Sequence, residues 1–318
     1  MFLYDGSAFK KGNIMEILTI LLKQIALMFV LIMIGYVLCR KKLITLQGSG
    51  EMGKILLNVV IPCVIINSFW CERTAYKSSS LLQGSVIAVV VMAVAVIIST
   101  LVYGLRDGVA CFSSAFSNAG FIGIPLVQAV LGSTAVFYLS LMIVLVNFLQ
   151  WTYGLYVLTG DKGKMKLSVV ATNPVVISVV AGIVIYFLNL PRFAFTDTLI
   201  SSITAVNTPL AMLVTGVYLA QSPLYDIISD QNTWKVSVLR LLIIPVVSLL
   251  VIKLFPFGTQ EMKIAIMIAA ACPVGSNVSI FAQQVGASFK DATCQVCLST
   301  ILCLATIPLM TLVTTMIL

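Results

Sequence analysis

The sequence predicts an all-α polytopic membrane protein with ten transmembrane helices, arranged as two five-helix repeats of opposite orientation. The chain has 318 residues, of which 60% are hydrophobic and only 9% charged. Charged and turn-forming residues divide it into ten apolar segments, each close to the roughly 20 residues that cross a bilayer as a helix. A polar linker at residues 159–167 separates the first five segments from the last five.

The low charge content excludes most other classes of protein. Soluble domains usually carry about 25% charged residues, and the mean hydropathy here is +1.10. No alternating ten-residue strands are found, so an outer-membrane barrel is not expected. The net charge of +8 is expected in loops, where it sets membrane topology, and nucleic-acid binding is not expected. Residues 1–17 are expected to form an extramembrane N-terminal tail and not a secretory signal.

The segment boundaries follow from the positions of charges, glycines and prolines. Segments one to ten are expected at about residues 18–39, 52–70, 81–104, 109–131, 134–158, 168–189, 198–220, 235–254, 263–286 and 291–316. They give a first repeat at 18–158, a linker at 159–167 and a second repeat at 168–318. An odd number of helices per repeat forces the two repeats into opposite orientations, as in many secondary transporters.

Segment four cannot be one continuous helix. Residues 108–160 carry no charged side chain, yet they include Gly120, Gly123 and Pro125, which disfavour a helix interior. Interrupted backbone at membrane depth is tolerated only where it is buried in protein or lines a watery cavity. Segment nine carries a comparable interruption at Pro273 and Gly275. We therefore predict a binding site inside the membrane where the two interruptions meet.

Two further motifs occupy equivalent positions in the two repeats. Segment two contains Asn58 four residues before Pro62, and segment seven contains Asn207 two residues before Pro209. These residues are expected mainly to kink supporting helices, and contact with the substrate is the alternative. Small residues at the interruptions also permit close helix packing, which is the alternative to a binding role.

The chemistry of the membrane interior favours an anion. No Asp, Glu or His lies near the middle of a predicted segment, although proton-coupled carriers commonly use such groups as relays. Helix N-termini carry unpaired N–H groups and about half a positive charge, and two such ends with Asn118 and Asn277 would suit a carboxylate. Asn147 and Gln150 are expected either to line the cavity or to hydrogen-bond across helices. The candidate substrate-binding residues are Asn118, Gly120, Gly123, Pro125, Asn147, Gln150, Pro273, Gly275, Asn277 and Ser279.

The role of Arg240 and the coupling ion each have more than one interpretation. Arg240 is expected either to snorkel toward the cytoplasmic face or to act as a gate or substrate counter-charge. No cofactor or bound metal is expected, because the chain has no histidine, but carbonyl, amide and hydroxyl oxygen atoms leave Na⁺ coupling possible. The basic clusters at 40–42 and 162–166 place the loops near Lys41 and Lys164 in the cytoplasm and both termini outside, in a membrane expected to be a bacterial inner membrane.

The order and spacing of several motifs resemble the auxin efflux carrier family. This family includes the plant PIN transporters and bacterial malate or malonate permease-like proteins. The motifs that carry the resemblance are Gly35-Tyr36, Asn58-x-x-x-Pro62, Ser117-Asn118, Gly123-Ile124-Pro125-Leu126, Trp151-Thr152-Tyr153, Asn173-Pro174, Thr208-Pro209-Leu210 and Pro273-x-Gly275.

The resemblance implies more than the residues alone establish. It implies that broken helices four and nine cross, that segments one, two, six and seven form a scaffold, and that segments three to five and eight to ten form a moving unit. It also implies a homodimer and an elevator motion. Asn118 matches the asparagine that contacts substrate carboxylate in PIN-like relatives, but Val278 stands where those proteins have proline. The anion, such as malate, malonate or an indole acid, therefore stays open.

The expected function is transport of a small organic anion by alternating access. An anion channel and a sodium-coupled organic-acid symporter are the alternatives. An enzyme is not expected, because the interior lacks the nucleophile–base pair or metal ligands that catalysis needs.

Overall fold

The structure is a computed structural model that describes residues 14–165, 167–221 and 223–318. Residues 1–13 of the expected N-terminal tail and Lys166 of the expected linker lie outside the described residues. The first helix begins at Ile14, four residues before the predicted start of segment one. The described chain is mainly helical, and its one β contact is an isolated antiparallel bridge between Ser117 and Val274. The predicted all-α class is confirmed.

Eighteen α-helices are present among the described residues. In chain order, α1 to α18 are Ile14–Arg40, Leu46–Ile55, Ile61–Phe69, Ala75–Val102, Gly108–Ala115, Ile124–Leu131, Val136–Leu149, Leu155–Thr159, Leu167–Ala171, Pro174–Leu188, Ala194–Ala205, Asn207–Leu219, Leu224–Ser229, Gln231–Val238, Ile244–Lys253, Gln260–Ala271, Asn277–Val285 and Phe289–Ile317. Four π-helical segments join some of them, at Leu56–Val60, Ala119–Gly123, Gln150–Gly154 and Leu239–Ile243.

Seven helical stretches in the described part of the chain are long and apolar enough to cross a membrane. They are Met15–Arg40, Leu46–Phe69, Lys77–Val102, Ser133–Thr159, Ala194–Leu219, Gln231–Lys253 and Phe289–Ile317. The other three predicted segments, four, six and nine, are each divided into shorter helices. The chain is a multi-pass membrane protein, as predicted.

The divided helices of segments four and nine lie deep in the protein. Residues 109–115 of α5 and residues 264–272 at the end of α16 are all buried. Helices α4, α7 and α18 pack around them. The interrupted backbone is therefore screened from lipid, which is the condition under which irregular backbone persists at membrane depth.

The π-helical segments have a local cause in three of four cases. Each of three segments ends two residues before a proline: Pro62, Pro125 or Pro245. Proline has no N–H to donate to the carbonyl four residues earlier. In the wider π turn, the residue just before each proline donates its N–H to the carbonyl five residues back, as Ile244 does to Leu239. The main-chain hydrogen bonds beside the proline are therefore kept. Such π segments are common at functional sites.

The packing of α1 against α12 depends on two glycines. A Cβ atom at Gly35 would lie 2.3 Å from the Leu213 carbonyl oxygen, and a Cβ at Gly216 would lie 2.1 Å from the Ile32 carbonyl oxygen. The two backbones are thus in direct contact, as small residues allow in membrane helices. The Gly35-Tyr36 motif has a packing role here.

Gly216→Ala is expected to destabilise the protein, because the new methyl group overlaps backbone that cannot rotate away. The expected cost is about 1–3 kcal/mol, the usual range for overpacking, measured as a lowered thermal transition midpoint of the detergent-purified protein. Gly50→Ala is the control, since a Cβ at Gly50 meets nothing within 4 Å. Equal transition midpoints for the two variants would contradict the close α1–α12 packing.

Candidate functional site

The two interruptions contact each other through their backbones. The Asn118 N–H donates to the Pro273 carbonyl oxygen at 2.8 Å, and the Gly275 N–H donates to the Phe116 carbonyl oxygen at 3.0 Å. Between these bonds, Ser117 and Val274 form the isolated antiparallel bridge. We call residues 116–118 and 273–275 the crossover. The crossover gives partners to backbone groups that would otherwise be left unpaired in a water-free interior.

A serine on a third helix supports the crossover. The buried Val274 N–H donates to the Ser299 hydroxyl of α18 at 3.1 Å, and Ser299 donates in turn to the Val296 carbonyl oxygen. The Ser299 side chain therefore ties the second interruption to the long final helix.

The C-terminal ends of the two interrupted helices meet at Arg240. Its guanidinium donates to the carbonyl oxygens of Ser114 at 3.0 Å and Ala115 at 3.2 Å, at the end of α5. It also donates to the carbonyl oxygens of Ala270 and, at 3.2 Å, Cys272, at the end of α16. Arg240 is 1% exposed. The interpretation of Arg240 as a snorkelling residue is wrong, because its side chain points into the protein to satisfy these carbonyls.

The N-terminal ends of the following helical turns carry the two asparagines. The Asn118 Oδ1 accepts from the Phe121 N–H at 3.4 Å, and its Nδ2 donates to the Ser276 hydroxyl at 3.0 Å. Asn277 is the first residue of α17, and its Nδ2 donates to Gln150 Oε1 at 3.2 Å. Each asparagine thus stands where a helix presents its positive end.

A small cavity lies against both asparagines. Its volume is about 30 Å³, enough for about two water molecules. Six of the ten candidate residues are brought together around it: Asn118, Gly120, Asn147, Gln150, Gly275 and Asn277. A Cβ at Gly120 would meet only the Ile61 side chain, at 3.6 Å, so the space at Gly120 is open to a ligand.

The other four candidate residues do not line this cavity. A Cβ at Gly123 would lie 3.4 Å from the Cys272 sulfur, so this glycine packs against the end of α16. Pro125 lies in the first turn of α6, and Pro273 contributes its carbonyl to the crossover. The Ser279 hydroxyl accepts from Thr293 of α18 at 3.2 Å. Val278, the departure from the PIN-like pattern, is fully buried.

Two larger cavities flank α17. One, of about 250 Å³, is lined by Asn58, Asn147, Trp151 and Asn173 together with Asn277. The other, of about 370 Å³, is lined by Lys54, Gln283 and Gln284, also with Asn277. Both reach residues beside the linker and the loop near Lys41, such as Thr172 and Leu46. They therefore open toward that end of the molecule.

The charge of the cavity walls is uneven. Of the described residues that line the three cavities, Lys54 is the single charged one, and none is acidic. These walls present amides, hydroxyls and helix N-termini, with one cation nearby. Such groups suit an anion. The described residues contain no group of three or more His, Cys, Asp or Glu side chains that would hold a metal ion.

Three residues at the site were not predicted from the sequence. Ser276 accepts from Asn118, Asn173 donates to Asn147 at 3.5 Å, and Trp151 lines a cavity. A signal for Ser276 exists, because Ser276-Asn277 repeats the Ser117-Asn118 pair of the first repeat.

The comparisons with known proteins agree with a transport role. A family model described as membrane transport protein matches residues 20–311. The chain is 23% identical over 300 residues to an uncharacterized transporter of Methanothermobacter thermautotrophicus, covering 89% of this chain and 95% of that protein. It is 26% identical over 205 residues to a putative malonate transporter of Rhizobium meliloti, covering 62% of this chain and 63% of that protein.

Ser299→Ala is expected to lower stability by about 1–3 kcal/mol, the cost of leaving the buried Val274 N–H without a partner. The measurement is the thermal transition midpoint of the purified protein. Ser248→Ala is the matched control, because the Ser248 hydroxyl is equally buried but has no hydrogen-bond partner among the described residues. A Ser299→Ala protein as stable as the Ser248→Ala protein would contradict the role of Ser299 at the crossover.

Proposed function

The chain belongs to the membrane transport protein family, the auxin efflux carrier family that its motifs resemble, and from this premise we propose that it carries a small organic anion across the membrane. The transport is of the secondary type and uses elevator-like alternating access. One observation carries the proposal. Two helical segments begin at Asn118 and Asn277 beside one cavity, and the described residues lining that cavity carry no charge.

The ten-helix, five-plus-five arrangement is part of this proposal. The divided segment with α5 and α6 corresponds to the divided segment with α16 and α17, and the two pair in antiparallel fashion at the crossover. We assign residues 18–158 to the first repeat and 168–318 to the second, related by inversion. Residues 1–17 form the outer tail and 159–167 the cytoplasmic linker. The contact at residues 117 and 274 supports the pairing of segments four and nine.

The division into scaffold and transport unit follows the packing. Helix α1 packs along α12, and α3 packs along α10, which supports a scaffold from segments one, two, six and seven. Helices α4, α5 and α7 pack together, and α16 and α17 pack on α18, which supports a transport unit from segments three to five and eight to ten. Two copies of the chain associate through their scaffolds in this proposal.

The structure corresponds to one end state of the transport cycle. The larger cavities open toward the end that carries the linker and the loop near Lys41. With these loops in the cytoplasm of a bacterial inner membrane, the site faces the cytoplasm. Movement of the transport unit along the scaffold would expose the same asparagines to the other side.

The proposed substrate is a carboxylate such as malonate, malate or an indole acid. The name of the Rhizobium meliloti relative, a putative malonate transporter, supports this class. The small cavity has room for a carboxylate group, and the flanking cavities of about 250 and 370 Å³ have room for the rest of the molecule. Amide donors and helix N-termini bind carboxylates without a buried lysine.

Asn118→Ala and Asn277→Ala are each expected to abolish transport of the carboxylate while leaving folded protein in the membrane. Each change removes an amide at the positive end of a helix, where an anion would bind. The measurement is uptake of labelled malonate and malate by liposomes that contain the purified protein. Asn67→Ala is the control, since Asn67 pairs with Arg192 and lines none of the three cavities. Unchanged uptake by the Asn118→Ala protein would contradict the proposed substrate site.

Asn118→Asp tests the electrostatic role of Asn118. Aspartate keeps the oxygen that caps the helical turn, but its negative charge repels an anion. We expect transport reduced by at least about tenfold, since like charges within a few ångströms disfavour binding by more than about 1.4 kcal/mol. We also expect a lowered thermal transition midpoint, because a charge is introduced at a buried position and the Nδ2 donor to Ser276 is lost. Transport at the wild-type rate would show that the substrate is not anionic at this position.

A carrier and an anion channel differ in their response to substrate on the far side. Liposomes loaded with unlabelled malonate are expected to take up external labelled malonate faster than empty liposomes, because a carrier returns more readily when loaded. A channel would show no such acceleration and would give single-channel currents in a planar bilayer. Repeating the uptake with and without sodium tests the sodium-coupled symporter as the second alternative.

A further inference from the structure

Arg240 is buried at a point where most membrane proteins would not place a cation. It lies in the π-helical segment Leu239–Ile243, within the membrane-spanning stretch Gln231–Lys253. Its side chain is enclosed by protein, and no acidic residue in the described part of the chain pairs with it; its recorded hydrogen bonds all go to main-chain carbonyls. A charged residue inside the membrane is costly, so its presence there points to a specific partner.

The partner is a pair of helix ends. The last carbonyl groups of a helix lack intrahelical donors and carry about half a negative charge. Here the ends of α5 and α16 approach each other at the crossover, so two such negative ends face one another in a poorly solvated interior. Without a cation, the carbonyls of Ser114, Ala115, Ala270 and Cys272 would repel and would lose these hydrogen bonds.

The guanidinium group is suited to this task. It is planar, keeps its charge and presents five donors in a fixed fork, whereas a lysine ammonium is a compact point charge. One side chain can therefore bridge carbonyls from two helices at once. Its Nη1 donates to the end of α5, and its Nε and Nη2 donate to the end of α16.

We propose that Arg240 is a positioning residue for substrate binding, a fixed internal cation that joins the C-terminal ends of α5 and α16 and thereby aligns Asn118 and Asn277. The proposal rests on the proposed function for its binding consequence. Arg240 does not line the small cavity, so its effect on the substrate is indirect. Its guanidinium group also occupies the carbonyl oxygens at the two helix ends. An inorganic cation would have to displace this group to bind there.

The two ends of the helix dipoles have different partners in this arrangement. Arg240 neutralises the negative ends within the protein. The positive ends at Ala119 and Asn277 remain directed toward the cavity, where the substrate carboxylate would bind. Loss of Arg240 would free the two helices to separate, and it would leave their negative ends uncompensated within a few residues of the binding site.

The test uses Arg240→Ala and chemical rescue with guanidinium ion. The full-length variant is purified in detergent, and its thermal transition midpoint and malonate affinity are measured. We expect a lower midpoint and at least about a tenfold weaker affinity, as for loss of charge-assisted hydrogen bonds. Guanidinium chloride at low millimolar concentration should restore both quantities in the variant, and it should leave the wild-type protein unchanged.

Three matched controls identify the cause. Urea has nearly the shape of guanidinium without its charge and should not restore the variant. Sodium chloride at equal ionic strength should not restore it either. Arg106→Ala removes an exposed arginine from the loop before α5, and it should change neither the midpoint nor the affinity. Equal rescue by urea would reduce the role of Arg240 to space filling, and rescue by sodium would mean that the position accepts an inorganic cation.

Arg240→Lys keeps the proposal testable if the alanine variant does not fold. Lysine retains the charge but cannot bridge both helix ends, so its malonate affinity should fall while the protein stays folded. Wild-type affinity in a folded Arg240→Lys protein would overturn the positioning role. The stability and rescue measurements do not depend on the substrate. If the wild-type protein binds no carboxylate but guanidinium still stabilises the alanine variant, the proposed function fails and the structural role of Arg240 stands.

Discussion

The pairing of main-chain groups at the crossover is the constraint on which the rest of the structure depends. Interrupting a helix inside a membrane leaves N–H and C=O groups without partners, and lipid offers none. The chain supplies them from within: Asn118 and Gly275 bond across the two interruptions, Ser299 satisfies Val274, and Arg240 satisfies the carbonyls on both sides. Because these partners come from α5, α16, α18 and the segment around Arg240, none of these elements can shift alone without exposing an unpaired polar group.

The same constraint accounts for the uncharged walls of the proposed anion site. The two ends of a helix carry unpaired main-chain groups with partial charges of opposite sign. In this protein the two ends have different partners. The negative ends are bonded to Arg240 in the interior, whereas the positive ends begin at the cavity with Asn118 and Asn277. In the proposed function the substrate supplies the missing negative charge. This arrangement avoids a buried lysine beside the substrate, whose strong attraction would slow release, and it needs no proton relay.

The sequence predicted those features that depend on composition and on residue type. Low charge content indicated membrane helices. Gly120, Gly123 and Pro125 predicted an interruption in segment four, but the helical stretch Ala119–Leu131 runs through all three residues, and the non-helical backbone lies just before it, at residues 116–118. The directions of side chains were less predictable. Arg240 and Gln150 lie in π-helical segments, whose extra residue per turn rotates the side chains away from the face that a 3.6-residue period gives. Ser279 faces α18 because its hydroxyl pairs with Thr293, a long-range contact that no local pattern encodes.

The sizes of the cavities bear on the choice of substrate in the proposed function. The space at the two asparagines is about 30 Å³, and the flanking cavities are about 250 and 370 Å³. Under the proposed function, only a group as small as a carboxylate fits against the helix ends, while the body of the anion lies beside α17. The carboxylate would then bind at the crossover. Residues such as Trp151 and Lys54, which line the two flanking cavities, would determine which carboxylate is preferred. Val278 is fully buried and lines none of the three cavities, so its side chain would not contact an anion bound in them.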